Sequence, residues 1–475
     1  MTRRGRWQHV FLLAAVMGGL TCFLKPGRTE AAEPDAKSLD PHLFGLPIPP
    51  GPIAAQIPRK VLTADQDGDS VVAQVRVQVG DYRIVLLPDG VLAARAVQDT
   101  TETNRAFEPL SKDAIAKRLT SSLPNGFRAK QTVRYLYVYD CSELFAEATS
   151  RILETMFRGV DGYMRAQKLN VQPPETPLVV IIFRTEAEFQ RYRQMPMDVV
   201  AYYDVLSNRT VMYEETKLWQ IKPDLARQQA ISTIAHEGAH QILHNIGVQQ
   251  RLSQWPMWLN EGLAEFLAPT TMDRQMKWKE VGQVNDLRMF ELEQYIQGRA
   301  VENADGQLVA QTIGAARLTS TGYAAAWALT HYLAKYQREE FHRFLRDTSR
   351  LGPLTSTGHI VPPGVIPENV RLFKDRFGED LAELERRLLL HLKRQPYVDP
   401  FAEWPHFAAL ISVPVGRRLR REANVFHTPE QAEKWCRECL EQVTAEQRTS
   451  ATTAVRPFPN RLLAEQHARR WLDGS

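Results

Sequence analysis

Two histidines four residues apart, with a glutamate directly after the first, are the part of this sequence best suited to do chemistry. Ile234-Ala235-His236-Glu237-Gly238-Ala239-His240 is an H-E-x-x-H run inside a helical pattern. On a helix, side chains four apart lie about 40° apart around the axis and about 6 Å apart, so both rings can offer a nitrogen to one divalent metal. Glu237 falls on the adjoining flank, poorly placed as a ligand but able to reach a water activated at the metal, as a general base must. Catalytic zinc takes three protein ligands and keeps a position for water, so the pair needs a third His or carboxylate from another element. About twenty residues after His240, the run Trp258-Leu259-Asn260-Glu261-Gly262-Leu263-Ala264-Glu265-Phe266 reads as a second amphipathic helix with Glu261 near its start.

Together the two runs resemble the gluzincin superfamily of zinc metallopeptidases, and W-L-N-E-G is similar to the aminopeptidase N branch. The resemblance implies one zinc ion per chain, with His236, His240 and Glu261 as ligands and Glu237 as general base. It also implies that Glu265, four residues after Glu261, orients a histidine ligand as the equivalent acidic residue does in thermolysin-like relatives. The run Gly322-Tyr323-Ala324-Ala325-Ala326-Trp327 matches the helix start where aminopeptidase N relatives carry an oxyanion-binding tyrosine, so Tyr323 takes that role by resemblance. The spacer after His240 is slightly longer than in aminopeptidase N. The G-x-M-E-N motif that recognises a substrate amine there is absent before His236, so exopeptidase specificity is not implied. The same series of motifs, over about residues 133–395, is similar to an uncharacterised group of exported bacterial metallopeptidase-like proteins. His244 continues the helical spacing but turns further from the ligand face, and is expected to lie outside the site. Asn260 is expected to cap the second helix.

The elements that must position these residues are legible as an α+β pattern. Tyr135–Tyr139 reads as a strand, 142–167 as a long helix, and 177–183 as a near-continuous apolar strand of the kind found at the centre of a sheet. Thr185 to Glu188 form a capping box that opens a helix. Residues 201–204 and 210–213 flank Ser207-Asn208-Arg209 as a hairpin, at the position where gluzincins carry the edge strand that aligns a peptide. Helices are expected at about 224–246, 257–268, 322–336 and 367–394. The domain reading is a signal peptide (1–32), a proline-rich linker (33–58), a small β-rich domain (59–130), a thermolysin-like catalytic domain (131–395) and a helical C-terminal extension (396–475). Asp65-Gln66-Asp67-Gly68-Asp69 resembles a calcium loop only superficially and is expected to be a solvated turn.

The N-terminus reads as a secretory signal peptide, so the chain is expected outside the cytoplasm. Arg3, Arg4 and Arg6 precede an apolar stretch from Val10 to Leu24, shorter than the roughly 20 residues of a membrane span, and small residues follow it. Cleavage is expected near Ala31 or Ala32, leaving no span in the mature chain and a periplasmic, extracellular or envelope-associated product. Cys22 suits a lipidation signal poorly. The net charge of +4 disappears on cleavage, because segment 1–32 carries five basic residues and one acidic one, leaving 54 of each sign. A charge argument for nucleic-acid binding disappears with it. Cys141, Cys436 and Cys439 would remain, with the C-x-x-C pair read as a local disulfide or plain helix residues. The expected function is hydrolysis of peptide or protein substrates. A zinc deacylase or amidase on the same scaffold, and a non-catalytic binding module that keeps the fold, are the alternatives.

Overall fold

In the computed structural model, residues 39–474 are described apart from 197–198, 217–218, 220–222, 272–276, 298–300, 302–303, 358–366 and 417. The expected signal peptide, its cleavage site and Cys22 lie outside the described residues. Two compact units result, one up to Tyr397 and one from Val398 onward.

The first unit begins with an antiparallel sheet of β1 (Lys60–Ala64), β2 (Ser70–Val79), β3 (Tyr82–Leu86), β4 (Leu92–Ala96) and β5 (Thr101–Glu102), in the order β4-β3-β2-β1-β5. This is the expected β meander, but it is not a free-standing domain. Val77, Val79, Ile84 and Leu86 share one apolar cluster with Leu252 and Leu354, which lie far along the chain. Leu46 and Ile48, expected in an extended linker, are 3% and 2% exposed in that same cluster. Their burial turns the proline-rich stretch into part of the core. The 65–69 segment is a turn, as expected, with Asp65 Oδ1 accepting from the backbone N–H groups of Asp67 and Asp69.

Helix α1 (Lys112–Ser122) and strand β6 (Arg128–Gln131) lead into a second sheet with β7 (Tyr135–Tyr139), β8 (Leu178–Thr185), β9 (Ala201–Asp204) and β10 (Arg209–Glu215). Helices α2 (Glu143–Ala166) and α3 (Glu186–Tyr192) flank β8 in sequence. The order is β6-β7-β8-β10-β9, so β8 is central, parallel to both neighbours. Its apolar run is continuous because both faces are covered. Leu178, Val180 and Ile182 face the main core, while Val179, Ile181 and Phe183 face a second cluster with Ile115 and Leu119 of α1. By packing, α1 and β6 therefore go with this sheet. The hairpin leaves β9 at the edge, antiparallel to β10, with Asn208 of its turn at φ 60°, a conformation Asn tolerates.

Eight helices described in this unit follow: α4 (Pro223–Asn245), α5 (Met257–Leu267), α6 (Asp286–Gln297), α7 (Gln307–Gly314), α8 (Ser320–Tyr336), α9 (Arg338–Thr348), α10 (Glu368–Phe377) and α11 (Leu381–Lys393). The single helix expected over 367–394 is two helices, broken where Gly378 adopts φ 103° and Asp380 caps the next. Among the described residues no helix is long and apolar enough to cross a membrane.

Two glycines set the spacing of the helices that matter most. A Cβ at Gly238 would run into Leu153 of α2, and one at Gly262 would run into the Ala326 carbonyl and Thr330 Oγ1 of α8. The second contact involves backbone, which cannot step aside. Gly262→Ala is therefore expected to cost about 1–3 kcal/mol or more by overpacking, read as a lower urea midpoint at unchanged slope.

The second unit corrects the expectation of a helical extension. Strands β11 (His406–Val415) and β12 (Arg418–Phe426), helices α12 (Pro429–Glu441) and α13 (Ala445–Ser450), strand β13 (Thr452–Phe458) and helix α14 (Arg461–Asp473) form an α+β unit. Its antiparallel sheet runs β12-β11-β13. The charged run through β12, with Arg418, Arg420, Arg421 and Glu422, hides a half-exposed strand whose partner β11 supplies buried Ala409, Ile411 and Val413. Cys436 and Cys439 lie on α12 as free thiols, and Cys141 is free as well.

Candidate metal centre

Helix α4 is held at a fixed rotation by a buried amide. Gln241 Nε2 donates to the Val179 carbonyl of β8 and to the Asn208 carbonyl, both at 3.0 Å. One turn on, Asn245 and Asn208 exchange side-chain amide hydrogen bonds of 2.7 and 2.8 Å. With that face on the sheet, His236 and His240 face α5, and both are buried.

Helix α5 brings Glu261 against them. The three donor atoms are separated by 3.2 Å (His236 Nε2 to His240 Nε2), 3.2 Å (His236 Nε2 to Glu261 Oε2) and 3.5 Å (His240 Nε2 to Glu261 Oε2). Ligands about 2.05 Å from a tetrahedral ion stand about 3.3 Å apart, so the spacing fits three ligands of one tetrahedral divalent ion. The donors are two imidazoles and a carboxylate, the chemistry that suits such an ion. Burial raises the Glu261 pKa, but His240 and His236 outweigh it and hold the group well below the carboxylate range, as an anion. Among the described residues, this is one of two groups whose geometry could hold a metal ion. His244 is not in it: its Nδ1 lies 3.2 Å from the Gln249 carbonyl and its ring stacks on Tyr203.

Around the trio sits a layer of buried polar side chains. Glu265 Oε1 lies 2.9 Å from His236 Nδ1, close enough to orient that ring. Arg288 of α6 donates to Glu265 at 2.6 Å and to Glu291 at 2.7 Å, while Asn285 donates to the other Glu265 oxygen at 2.8 Å. Burial alone would raise the Glu265 pKa, but Arg288 and His236 bring it down to about 2. The Arg288 guanidinium also sits 5.4 Å over the Tyr323 ring, and Glu291 accepts from Ser320 at the start of α8. Tyr323 is 4% exposed, with its ring centroid 6.2 Å from that of His236. The structure thus brings His236, Glu237, His240, Glu261, Glu265 and Tyr323 into one neighbourhood.

Glu237 is not among the trio. Its Oε2 accepts from the backbone N–H of Tyr203 on the edge strand β9, at 2.8 Å. Burial raises its pKa above the usual 4.5 against the pull of His236 and His240. Asn260 does not cap α5, whose N-cap position is Pro256. It lies inside the helix, accepting from Gln249 at 3.0 Å and donating to Glu261 Oε1 at 2.8 Å, and so fixes the oxygen that does not face the histidines. Sequence reading missed Asn260 in this role, together with Arg288, Asn285 and Glu291. The signal for the last three was weak: an Asn-Asp helix start with Arg and Glu three apart, on a helix too polar to stand out.

Residues 230–355 match a family model described as "Protein of unknown function (DUF1570)". The match spans every candidate residue from His236 to Tyr323. No curated protein matches the sequence.

Proposed function

We propose that the chain is an exported, gluzincin-type zinc hydrolase that cleaves peptide bonds. The observation that carries this reading is the buried trio with donor separations of 3.2, 3.2 and 3.5 Å, with Glu237 beside it and outside it. His236, His240 and Glu261 would hold the ion, which when bound polarises a carbonyl and makes water acidic enough to attack near neutral pH. Glu237 takes the proton from that water and passes it to the leaving amine, its carboxylate aimed by the Tyr203 N–H. Strand β9, at the sheet edge, is the element along which an extended peptide would align.

Tyr323 donates to the developing oxyanion in this reading. Tyr323→Phe is expected to retain the metal and to lower activity by about 10²-fold, the lower end of what one oxyanion donor contributes, since that donor goes and the ligand set stays. Steady-state rates beside metal content test it. Unchanged rates would return Tyr323 to a packing role.

The reading as a whole is tested by incubating the purified chain with a peptide mixture and finding new termini by mass spectrometry. Cleavage should cease with a chelator and return with zinc. Activity indifferent to both would defeat it, and release of acyl groups from small amides without peptide cleavage would replace peptidase by deacylase.

A further inference from the structure

The second unit carries a separate cluster of metal-ligand type. His406 opens β11 and His427 directly follows β12. The strands pair Phe407 with Phe426, so the two histidines face each other one step beyond that pair, their ring centroids 4.3 Å apart. Asp399, from the segment before β11, places Oδ2 3.5 Å from His406 Nε2 and 3.9 Å from His427 Nε2. One ligand atom from each residue lies within 4.8 Å of the others.

The hydrogen bonds show which atoms have lone pairs to give. His406 Nδ1 lies 2.7 Å from the Trp404 carbonyl, which can only accept, so Nδ1 carries the proton. In the neutral ring, Nε2 is then a bare acceptor. It is buried in a residue 1% exposed and makes no hydrogen bond. It points toward the Asp399 carboxylate, another acceptor. Two acceptors converging in a buried place are reconciled by a positive charge between them, a metal ion or a proton on Nε2. Arg461 Nη1 donates to Asp399 Oδ2 at 2.8 Å and the Phe401 N–H to Oδ1 at 2.8 Å, which lock the carboxylate and leave a lone pair of Oδ2 for the histidine side. Such outer hydrogen bonds are how ligands are oriented around an ion.

We propose that His406, His427 and Asp399 form a second site for a divalent metal of the zinc class. It is structural in kind, fastening the end of the β11–β12 pair to the preceding segment. One carboxylate shared with a guanidinium makes it the weaker centre, so a chelator should empty it before the His236 centre. This does not rest on the hydrolase reading, because the two sites share no residue.

The test is zinc content of the full chain after dialysis against zinc, for the wild type, His427→Ala, Asp399→Asn and Glu261→Ala. The expected stoichiometry is two in the wild type and one in each variant. The pair Glu261→Ala, His427→Ala should hold none. Asp399→Asn keeps the shape of the side chain, so it reports even if a histidine variant fails to fold. Cobalt in place of zinc should give d–d absorption that loses one component in His427→Ala. If the wild type and Asp399→Asn bind the same amount of zinc, the cation is the His406 imidazolium and the proposal is wrong. If Glu261→Ala binds as much as the wild type while His427→Ala binds less, the first centre fails and this one stands.

Discussion

Glu237→Gln is expected to lower hydrolysis by at least about 10²-fold, the lower end of what a positioned general base contributes, while metal content and folding are unchanged. The glutamine is nearly isosteric and its carbonyl can still accept the Tyr203 N–H that Glu237 Oε2 accepts at 2.8 Å. The carboxylate's basicity is what disappears. The ligand trio is untouched, because Glu237 lies outside the group formed by His236, His240 and Glu261. Rates with a cleaved peptide, beside zinc content and a circular dichroism melt, separate the outcomes. Equal rates would place the activity at another site. A loss accompanied by loss of zinc would mean that Glu237 serves the metal instead of the proton.

The largest effect on stability is expected at Arg288. Its side chain is 1% exposed and pairs with two buried carboxylates, Glu265 and Glu291. Arg288→Met keeps much of the volume and leaves both acids without their cation, a change that costs about 3–5 kcal/mol in a buried network. The loss reaches the metal centre through Glu265, whose oxygen lies 2.9 Å from His236 Nδ1. Zinc affinity should fall about 10- to 100-fold, as for other groups that orient a ligand. Urea unfolding with and without zinc, and competition with a chelating dye, measure the two effects. Full zinc affinity in a destabilised variant would mean that Glu265 does not orient His236.

What the sequence made legible follows from how local each signal is. His236, Glu237 and His240 stand out by helical spacing alone, and Glu261 through the family resemblance of the short run around it, so the trio could be named without tertiary information. The continuous apolar run of β8 revealed a strand covered on both faces. Features that depend on distant partners were not legible. Leu46 and Ile48 look like linker residues until Leu252 and Leu354 close over them. Arg288 looks like a surface residue of a polar helix until Glu265, twenty-three positions earlier, turns toward it. The charged stretch of β12 reads as a helix face until β11 pairs with it. Asn260 was read as a cap because Asn before Glu-Gly suits a helix start, whereas α5 begins earlier, at Met257.

The central claim is that His236, His240 and Glu261 form a zinc centre, and its most direct measurement is zinc per chain at that centre. Made in the His427→Ala background to remove the second site, the protein should hold one zinc ion. Adding Glu261→Ala should bring that close to zero, because two imidazoles on one helix do not retain zinc as a three-ligand set does. Undiminished zinc after Glu261→Ala, or none before it, would contradict the account.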